Sequence, residues 1–196
     1  MKLKKISIIF TLFYLFFFSC PTSAKNNQKS NLDLKTLKLQ GYQIFEKDNF
    51  VINQKSKFRL NYVLMNMAKK QGNKLPITSY ISTEHKDSYV KAVICTIQIS
   101  DISADYKNLS LNKQNEYTVK FLNNYCSSLK ANNMSYKKVN FIGLNSVEYS
   151  FLQNCSLPTN AIIFIKDKKA FLLQVGTRKN LSKKYSDLKK SFKFIK

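Results

Sequence analysis

The sequence is poor in the residues on which most recognisable active sites depend. Its 196 residues include no tryptophan, one histidine, three prolines and four glycines. So few, scattered glycines cannot form a phosphate-binding loop, and collagen-like or low-complexity chains are excluded. His85 lies in a polar stretch beside Glu84 and Asp87, which predicts a solvated loop, because a metal site needs several converging ligands. We therefore predict a protein that is not an enzyme and holds no cofactor or metal.

Acidic side chains are also scarce. The chain has 33 basic and 11 acidic residues, a formal net charge of +22, and its only arginines are Arg59 and Arg178. Nucleic-acid readers favour arginine for its bidentate contacts, so no specific nucleic-acid partner is predicted. Attraction to anionic polymers or membrane surfaces, weakened by salt, is expected. With 44% hydrophobic residues, the chain has enough apolar material to fold.

The N-terminus has the pattern of an export signal. Met1–Lys5 carries three lysines, and the apolar run Ile6–Phe18 follows. That run is shorter than the roughly 20 residues needed to cross a bilayer. A charged segment, a short apolar segment and small residues define a secretory signal peptide, here residues 1–24, although a membrane-anchoring helix is the other interpretation. We expect an exported protein, periplasmic or secreted.

Two processing sites compete at the end of this segment. Thr22–Ala24 places small residues where signal peptidase requires them, and cleavage after Ala24 would leave Lys25 first. Alternatively, Cys20 follows Ser19 as in a bacterial lipobox, and would then be diacylated. Cleavage after Ala24 is the favoured interpretation. Membrane attachment is expected only if Cys20 is lipidated.

The cysteines give a weak disulfide signal. Cleavage after Ala24 leaves Cys95, Cys126 and Cys155, an odd number that is no disulfide framework. Cys95 lies within an apolar run and is predicted to be a small buried hydrophobe. Cys126 lies towards the edge of a helical apolar face and Cys155 in a polar loop, so we hypothesise a Cys126–Cys155 bridge. No CxxC spacing supports zinc or redox chemistry.

The remainder of the chain divides into a leader and one domain. Residues 25–40 begin with a polar stretch rich in Lys, Asn and Gln, which predicts a largely disordered leader. The leucine spacing within Leu32–Leu39 allows a short amphipathic helix there. Gly41 breaks that pattern, and residues 41–196 contain no linker or internal repeat, so they are predicted to form a single domain.

The hydrophobic pattern of the domain predicts strands and two principal helices. Apolar side chains on both faces of Val90–Ile99 predict a central strand with a layer above and below it. The other predicted strands are Tyr42–Phe45, Phe50–Ile52, Phe58–Leu64, Ile77–Ser82, Val139–Ile142, Ser146–Phe151, Thr159–Ile165 and Ala170–Val175. Leu111–Lys130 carries an apolar stripe every four residues and predicts a helix that packs on the sheet. A terminal helix is predicted after Asn180, a suitable N-cap.

The order of these elements is familiar in the second half of the chain. Val139–Gly143 leads into the strand Val147–Phe151, the hairpin Ala161–Val175 follows, and Ser191–Phe194 closes the sequence. This order resembles the PsbP/Mog1/DcrB-like superfamily of exported and lipid-anchored α/β/α sandwiches, from about Phe58 to Phe194. The chain departs from that family in lacking tryptophan, and in lacking proline around the first core strand.

The resemblance implies an α+β fold: a mainly antiparallel sheet with helices packed on both faces (an α/β/α sandwich), here preceded by an N-terminal signal helix. It also implies binding or assembly rather than catalysis, with no site residue to transfer. We therefore expect an exported, non-enzymatic binding or accessory protein of the bacterial cell envelope. Its partner would be an envelope protein or an anionic surface, held at a sheet edge or in a groove between helix and sheet. The alternatives are an electrostatic binder of anionic polymer or membrane, and an unrecognised hydrolase that uses paired carboxylates.

Overall fold

The structure is a computed structural model that describes residues 34–70, 77–88, 90–153 and 156–195. The expected signal peptide at residues 1–24, with Cys20, lies outside the described residues, as does Cys155. Within the described residues the chain forms an α+β fold with two antiparallel sheets and four helices. The expected fold class, with a mainly antiparallel sheet, is therefore confirmed.

The strands form one large and one small sheet. The large sheet has seven strands in the order β3-β4-β5-β9-β8-β7-β6, and the small sheet has the order β1-β2-β10. The strands are β1 Gln43–Phe45, β2 Phe50–Ile52, β3 Arg59–Leu60, β4 Ile77–Glu84, β5 Val93–Asp101, β6 Tyr136–Phe141, β7 Leu144–Gln153, β8 Leu157–Lys166, β9 Lys169–Thr177 and β10 Phe192–Phe194. The helices are α1 Leu34–Leu39, α2 Tyr62–Lys70, α3 Leu111–Ala131 and α4 Leu181–Ser191.

The centre of the large sheet is formed by β5, β9 and β8. The predicted hairpin between β8 and β9 turns at Asp167 and Lys168, whose φ angles of 49° and 61° are those of the tight turn that matches strand twist. Cys95 lies in β5 and is buried in the main apolar cluster, as its apolar surroundings predicted. These strands are apolar on both faces, so the sheet requires cover on both sides.

Helix α3 covers one of these faces. Leu122, Tyr125 and Leu129 form one buried cluster with Val147 of β7 and Ile163 of β8. This is the stripe that the four-residue spacing predicted. The helix ends where the chain turns at Asn132 and Asn133, the latter with a φ of 55°.

A second buried cluster lies on the other side of these strands. Leu188 of α4 packs there with Ile162 of β8 and Phe171 of β9. Phe50 and Phe192, from two strands of the small sheet, belong to the same cluster and stack with their ring centroids 5.2 Å apart. Neighbouring residues of β8 thus point into different buried clusters, and a helix packs in each cluster.

The strand predicted over Phe58–Leu64 is wrong. Only Arg59–Leu60 is a strand, and α2 begins at Tyr62. The side-chain oxygen of Asn61 accepts a hydrogen bond of 3.2 Å from the backbone N–H of Leu64, so Asn61 starts the helix. Four alternating apolar residues fit a strand, but the continuous run that follows Asn61 fits a helix as well.

The expectation for Asn180 is also corrected. Asn180 precedes α4, but its side chain caps no N–H; its φ of 56° shows that the position requires a left-handed turn instead. The short helix allowed within Leu32–Leu39 is present as α1, and Leu37 is buried in it. Among the described helices, none has the length and apolar character to cross a bilayer.

Candidate functional site

A groove opens between α4 and the three adjacent strands β6, β7 and β8. Its volume is about 470 Å³, and it is lined mainly by hydroxyl, amide and charged side chains. We call it the Glu148 groove, and define it by Lys137, Glu148, Ser150, Asn160, Ser182 and Lys189. A groove between a helix and the sheet is one of the two places where the sequence analysis expected a binding surface.

The periodicity of α4 explains one wall of the groove. Ser182, Ser186 and Lys189 recur at intervals of four and three residues, so they share one face of the helix and line the groove. Tyr185 and Leu188 lie on the neighbouring face and are buried against the sheet. The helix is therefore held by its apolar side while its polar side faces the groove.

The register in which β6, β7 and β8 pair explains the floor of the groove. Glu148 of β7 pairs with Lys137 of β6, which brings the two side chains to the same face of the sheet. Two residues further along, Ser150 pairs with Asn160 of β8, and its hydroxyl donates a 2.8 Å hydrogen bond to the Asn160 side-chain oxygen. A row of polar side chains thus follows three adjacent strands on the α4 side.

Glu148 is the centre of this arrangement. Its side chain is only 7% exposed, and its Oε2 lies 2.9 Å from Nζ of Lys137. Its Oε1 accepts a 3.1 Å hydrogen bond from the hydroxyl of Tyr185 and a second one from Nζ of Lys189. The Lys189 ammonium also lies 4.8 Å from the centroid of the Tyr185 ring. The carboxylate therefore joins α4 to β6 and β7.

The surroundings of Glu148 keep it ionised. Burial raises the pKa of its carboxyl group, but the hydrogen bonds and charges of Lys189 and Lys137 outweigh burial and hold the pKa below its ordinary value. Burial and the Glu148 charge raise the pKa of Tyr185, so its hydroxyl stays protonated and donates. At neutral pH the groove thus contains a fixed anion between two cations.

The accessible groups are suited to binding polar ligands. The Lys137 side chain is 71% exposed, so its ammonium can contact a ligand while it remains near Glu148. Ser150, Ser182 and Ser186 add hydroxyls that both donate and accept hydrogen bonds. Such a surface favours a hydroxylated or anionic ligand, because charge-assisted hydrogen bonds to Lys137 and Lys189 would be the strongest ones available.

A second groove of about 360 Å³ follows another side of α4, from Lys184 to Ser191, and is also lined by Tyr42, Asn53 and Glu84. Glu84, which the sequence placed beside His85, forms an ion pair of 2.7 Å with Lys184. His85 itself is exposed in the loop after β4. No three His, Cys, Asp or Glu side chains converge on a possible metal position in the described part of the chain.

The structure tests only some of the cysteine predictions, because it describes Cys95 and Cys126 alone. Cys126 lies in α3 and is 3% exposed, closer to the core than its position in the sequence suggested. Burial raises the pKa of its thiol. Cys155 lies outside the described residues, so the Cys126–Cys155 bridge stays a prediction, and the same holds for lipidation of Cys20.

The sequence analysis did not select Glu148, although a signal for it exists. It is the only acidic residue between Glu116 and Asp167. It also alternates with Val147 and Tyr149 in a strand whose alternate residues are buried against α3. A single carboxylate at such a position indicates a buried charge with partners, and those partners lie on other elements.

Comparisons with known proteins were made for the whole chain. No protein-family model matches it, and no curated protein matches it. The superfamily resemblance therefore stays a prediction, and the Glu148 groove must be interpreted from its own side chains.

Proposed function

We propose that the chain is an exported, non-enzymatic binding or accessory protein of the bacterial cell envelope, and that the Glu148 groove holds its ligand. One observation carries this proposal: a buried, doubly ion-paired carboxylate lies at the floor of a groove with hydroxyl-rich walls. The volume of about 470 Å³ is within the range of small-ligand sites, roughly 300–1,000 Å³. The groove could hold a small polar molecule or the polar end of a larger partner.

The arrangement of helices supports the same proposal. Because α3 and α4 pack on different sides of the central strands, we infer an α/β/α sandwich, the architecture of the PsbP/Mog1/DcrB-like superfamily. That superfamily is associated with binding and assembly. Fold analogy alone does not carry a function, so the groove chemistry remains the main support.

The properties of Glu148 favour binding over hydrolysis. A hydrolase that uses paired carboxylates needs one carboxyl group with a raised pKa, so that it can donate a proton near neutral pH. Glu148 is the only carboxylate among the described residues that line the groove, and Lys189 and Lys137 hold its pKa below the ordinary value. Glu148 therefore serves better as a fixed anion that orients two ammonium groups than as an acid catalyst.

Salt distinguishes a groove ligand from a purely electrostatic one. Long-range attraction to the strongly basic chain is screened beyond about 10 Å at 0.1 M salt. A ligand that makes direct hydrogen bonds in the groove should stay bound under those conditions. The alternative function, an electrostatic binder of anionic polymer or membrane, predicts release.

The test is capture from envelope fractions at low and moderate salt with two matched variants. Ser182→Tyr places a large side chain in the groove from an exposed helix position, and Ser127→Tyr makes the same change at an exposed position of α3. We expect wild type and Ser127→Tyr to retain the same partner at both salt concentrations, and Ser182→Tyr to lose it. Equal capture by both variants would exclude the groove, and absence of any partner would contradict the proposed function.

A further inference from the structure

A second surface lies at the other edge of the large sheet, where β3 is the edge strand and α2 follows it. Ten large hydrophobic side chains are exposed in the described residues, and four of them occur within eight positions here: Leu60, Tyr62, Val63 and Met67. We call these four residues the β3–α2 surface. Exposed apolar residues that are grouped in this way mark interaction sites more often than singly scattered ones do.

Helical geometry places most of this surface on one side of α2. At 100° per residue, Tyr62, Val63 and Met67 fall within an arc of about 140°. Ala68 is buried on the other side of the helix, and Leu64 is half-buried. Asn66 and Lys70 fall within the same arc, so the exposed side of the helix mixes apolar and polar side chains. Val63 is 71% exposed, and no contact within the described residues buries it.

The charged residues of the segment that carries this surface all have one sign. Residues 49–83 contain no Asp or Glu. The described basic residues of this segment are Lys55, Lys57, Arg59, Lys69 and Lys70. Ion pairs elsewhere in the described structure use other lysines, and none of them involves these five residues. Their long side chains can keep the charge in water while the stems follow an apolar surface.

An exposed helix side that carries large apolar side chains among unpaired cations fits an element that lies in a membrane interface, because lysine stems can follow apolar surface while the ammonium groups reach lipid phosphates. We propose that the β3–α2 surface docks the protein on an anionic phospholipid bilayer, with Tyr62, Val63 and Met67 entering the headgroup region and Lys69 and Lys70 contacting lipid phosphates. A bilayer satisfies both features at once: it buries the apolar side chains and supplies the missing negative charge.

This docking would not need a lipid chain on the protein. The sequence predicts membrane attachment only if Cys20 is lipidated, whereas the β3–α2 surface binds through its own side chains. It also lies at the opposite edge of the sheet from β6 and the Glu148 groove. The two proposals can therefore fail separately.

The first test is co-sedimentation of the processed chain, residues 25–196, with vesicles at about 0.1 M salt. One set of vesicles is phosphatidylcholine, and the other contains about one quarter phosphatidylglycerol. We expect binding to the anionic vesicles only. The double variant Val63→Ser/Met67→Ser should weaken it by about tenfold or more, because apolar contact is lost. The control Leu111→Ser/Leu152→Ser removes two exposed apolar side chains elsewhere and should change it by less than about twofold.

Two matched variants that remove positive charge complete this test. Lys69→Gln/Lys70→Gln should weaken vesicle binding by roughly tenfold or more, because each cation near an anionic surface contributes several-fold. Lys113→Gln/Lys130→Gln removes the same charge from exposed positions of α3 and should have a much smaller effect. Circular dichroism of each variant shows whether the fold is retained.

The absence of tryptophan offers a second measurement that does not depend on loss of binding. In V63W the only tryptophan lies on the β3–α2 surface, and in L111W it lies on α3. We expect anionic vesicles to shift the emission of V63W to the blue and leave L111W unchanged. Equal binding to both vesicle types, unchanged binding of Val63→Ser/Met67→Ser, or no shift in V63W would each overturn the proposal. So would light scattering that shows a dimer abolished by that double variant, since the surface would then contact a second copy.

Discussion

The hydroxyl of Tyr185 lies 3.1 Å from Oε1 of Glu148 and joins the terminal helix to the sheet across 37 positions of sequence. Lys189, one turn further along α4, contacts the same oxygen. The wall and the floor of the groove are therefore connected through one carboxylate. A change at Glu148 should alter both the stability of the fold and the shape of the groove.

Replacing Glu148 should destabilise the protein measurably. Glu148→Gln leaves Lys189 and Lys137 without their counter-ion in a partly buried position, which should lower the free energy of unfolding by about 1–3 kcal/mol. Asp167→Asn is the control, because its ion pair with Lys166 is exposed and should contribute under about 1 kcal/mol. Urea unfolding at neutral pH measures both, and equal losses would contradict the importance of the buried network.

The same carboxylate should make stability depend on pH in the acid range. The folded pKa of Glu148 is below its ordinary value of 4.5, so its contribution is fully present above about that pH and disappears as pH falls through the folded pKa. We expect the difference in free energy of unfolding between wild type and Glu148→Gln to shrink as pH falls below about 4.5. A difference that stays constant between neutral and acid pH would show that the Glu148 charge contributes nothing.

Two buried tyrosines on the α3 side of the sheet should contribute to the free energy of unfolding in a coupled way. The hydroxyls of Tyr125 in α3 and Tyr149 in β7 lie 2.7 Å apart. Each single change to Phe should cost about 0.5–1.5 kcal/mol, because it leaves a buried hydroxyl without its partner. The double variant should cost less than the sum of the two, since no hydroxyl is then left unpaired. Strict additivity in thermal or urea unfolding would argue against the hydrogen bond.

The hypothesised Cys126–Cys155 bridge can be tested by counting thiols. A chain cleaved after Ala24 would have three cysteines, at positions 95, 126 and 155. After unfolding without reductant we expect one titratable thiol, from Cys95, and three after reduction. Unfolding is required because Cys95 and Cys126 are buried in the folded protein. Three thiols under both conditions would eliminate the bridge.

Much of the fold could be predicted because its elements have strong local patterns. The apolar stripe of Leu111–Lys130 has one interpretation, and α3 occupies almost the same residues. The strand predicted over Phe58–Leu64 was wrong because four alternating apolar residues fit both a short strand and the start of a helix. The hydrogen bond of Asn61 that starts the helix is visible only in the structure. The sequence did not predict the small sheet, because its strands are far apart in the chain: Phe192 pairs with Ile52.

The candidate site was less predictable than the fold for a related reason. Lys137, Glu148 and Lys189 lie on three different elements, and none forms a motif with its sequence neighbours. Their charges become a unit only after β6 pairs with β7 and α4 packs across them. Sequence spacing identifies sites built within one loop or helix, whereas this one depends on register and packing.

Photo-cross-linking in the cells that produce the protein tests the central claim most directly. A photoreactive amino acid replaces Ser182 in the groove or Ser127 on α3, and adducts are identified after cell fractionation. The account predicts one discrete adduct in the envelope fraction from position 182 and none from position 127. Protein retained in the cytosol, or identical adducts from both positions, would contradict an exported protein whose ligand binds in the Glu148 groove.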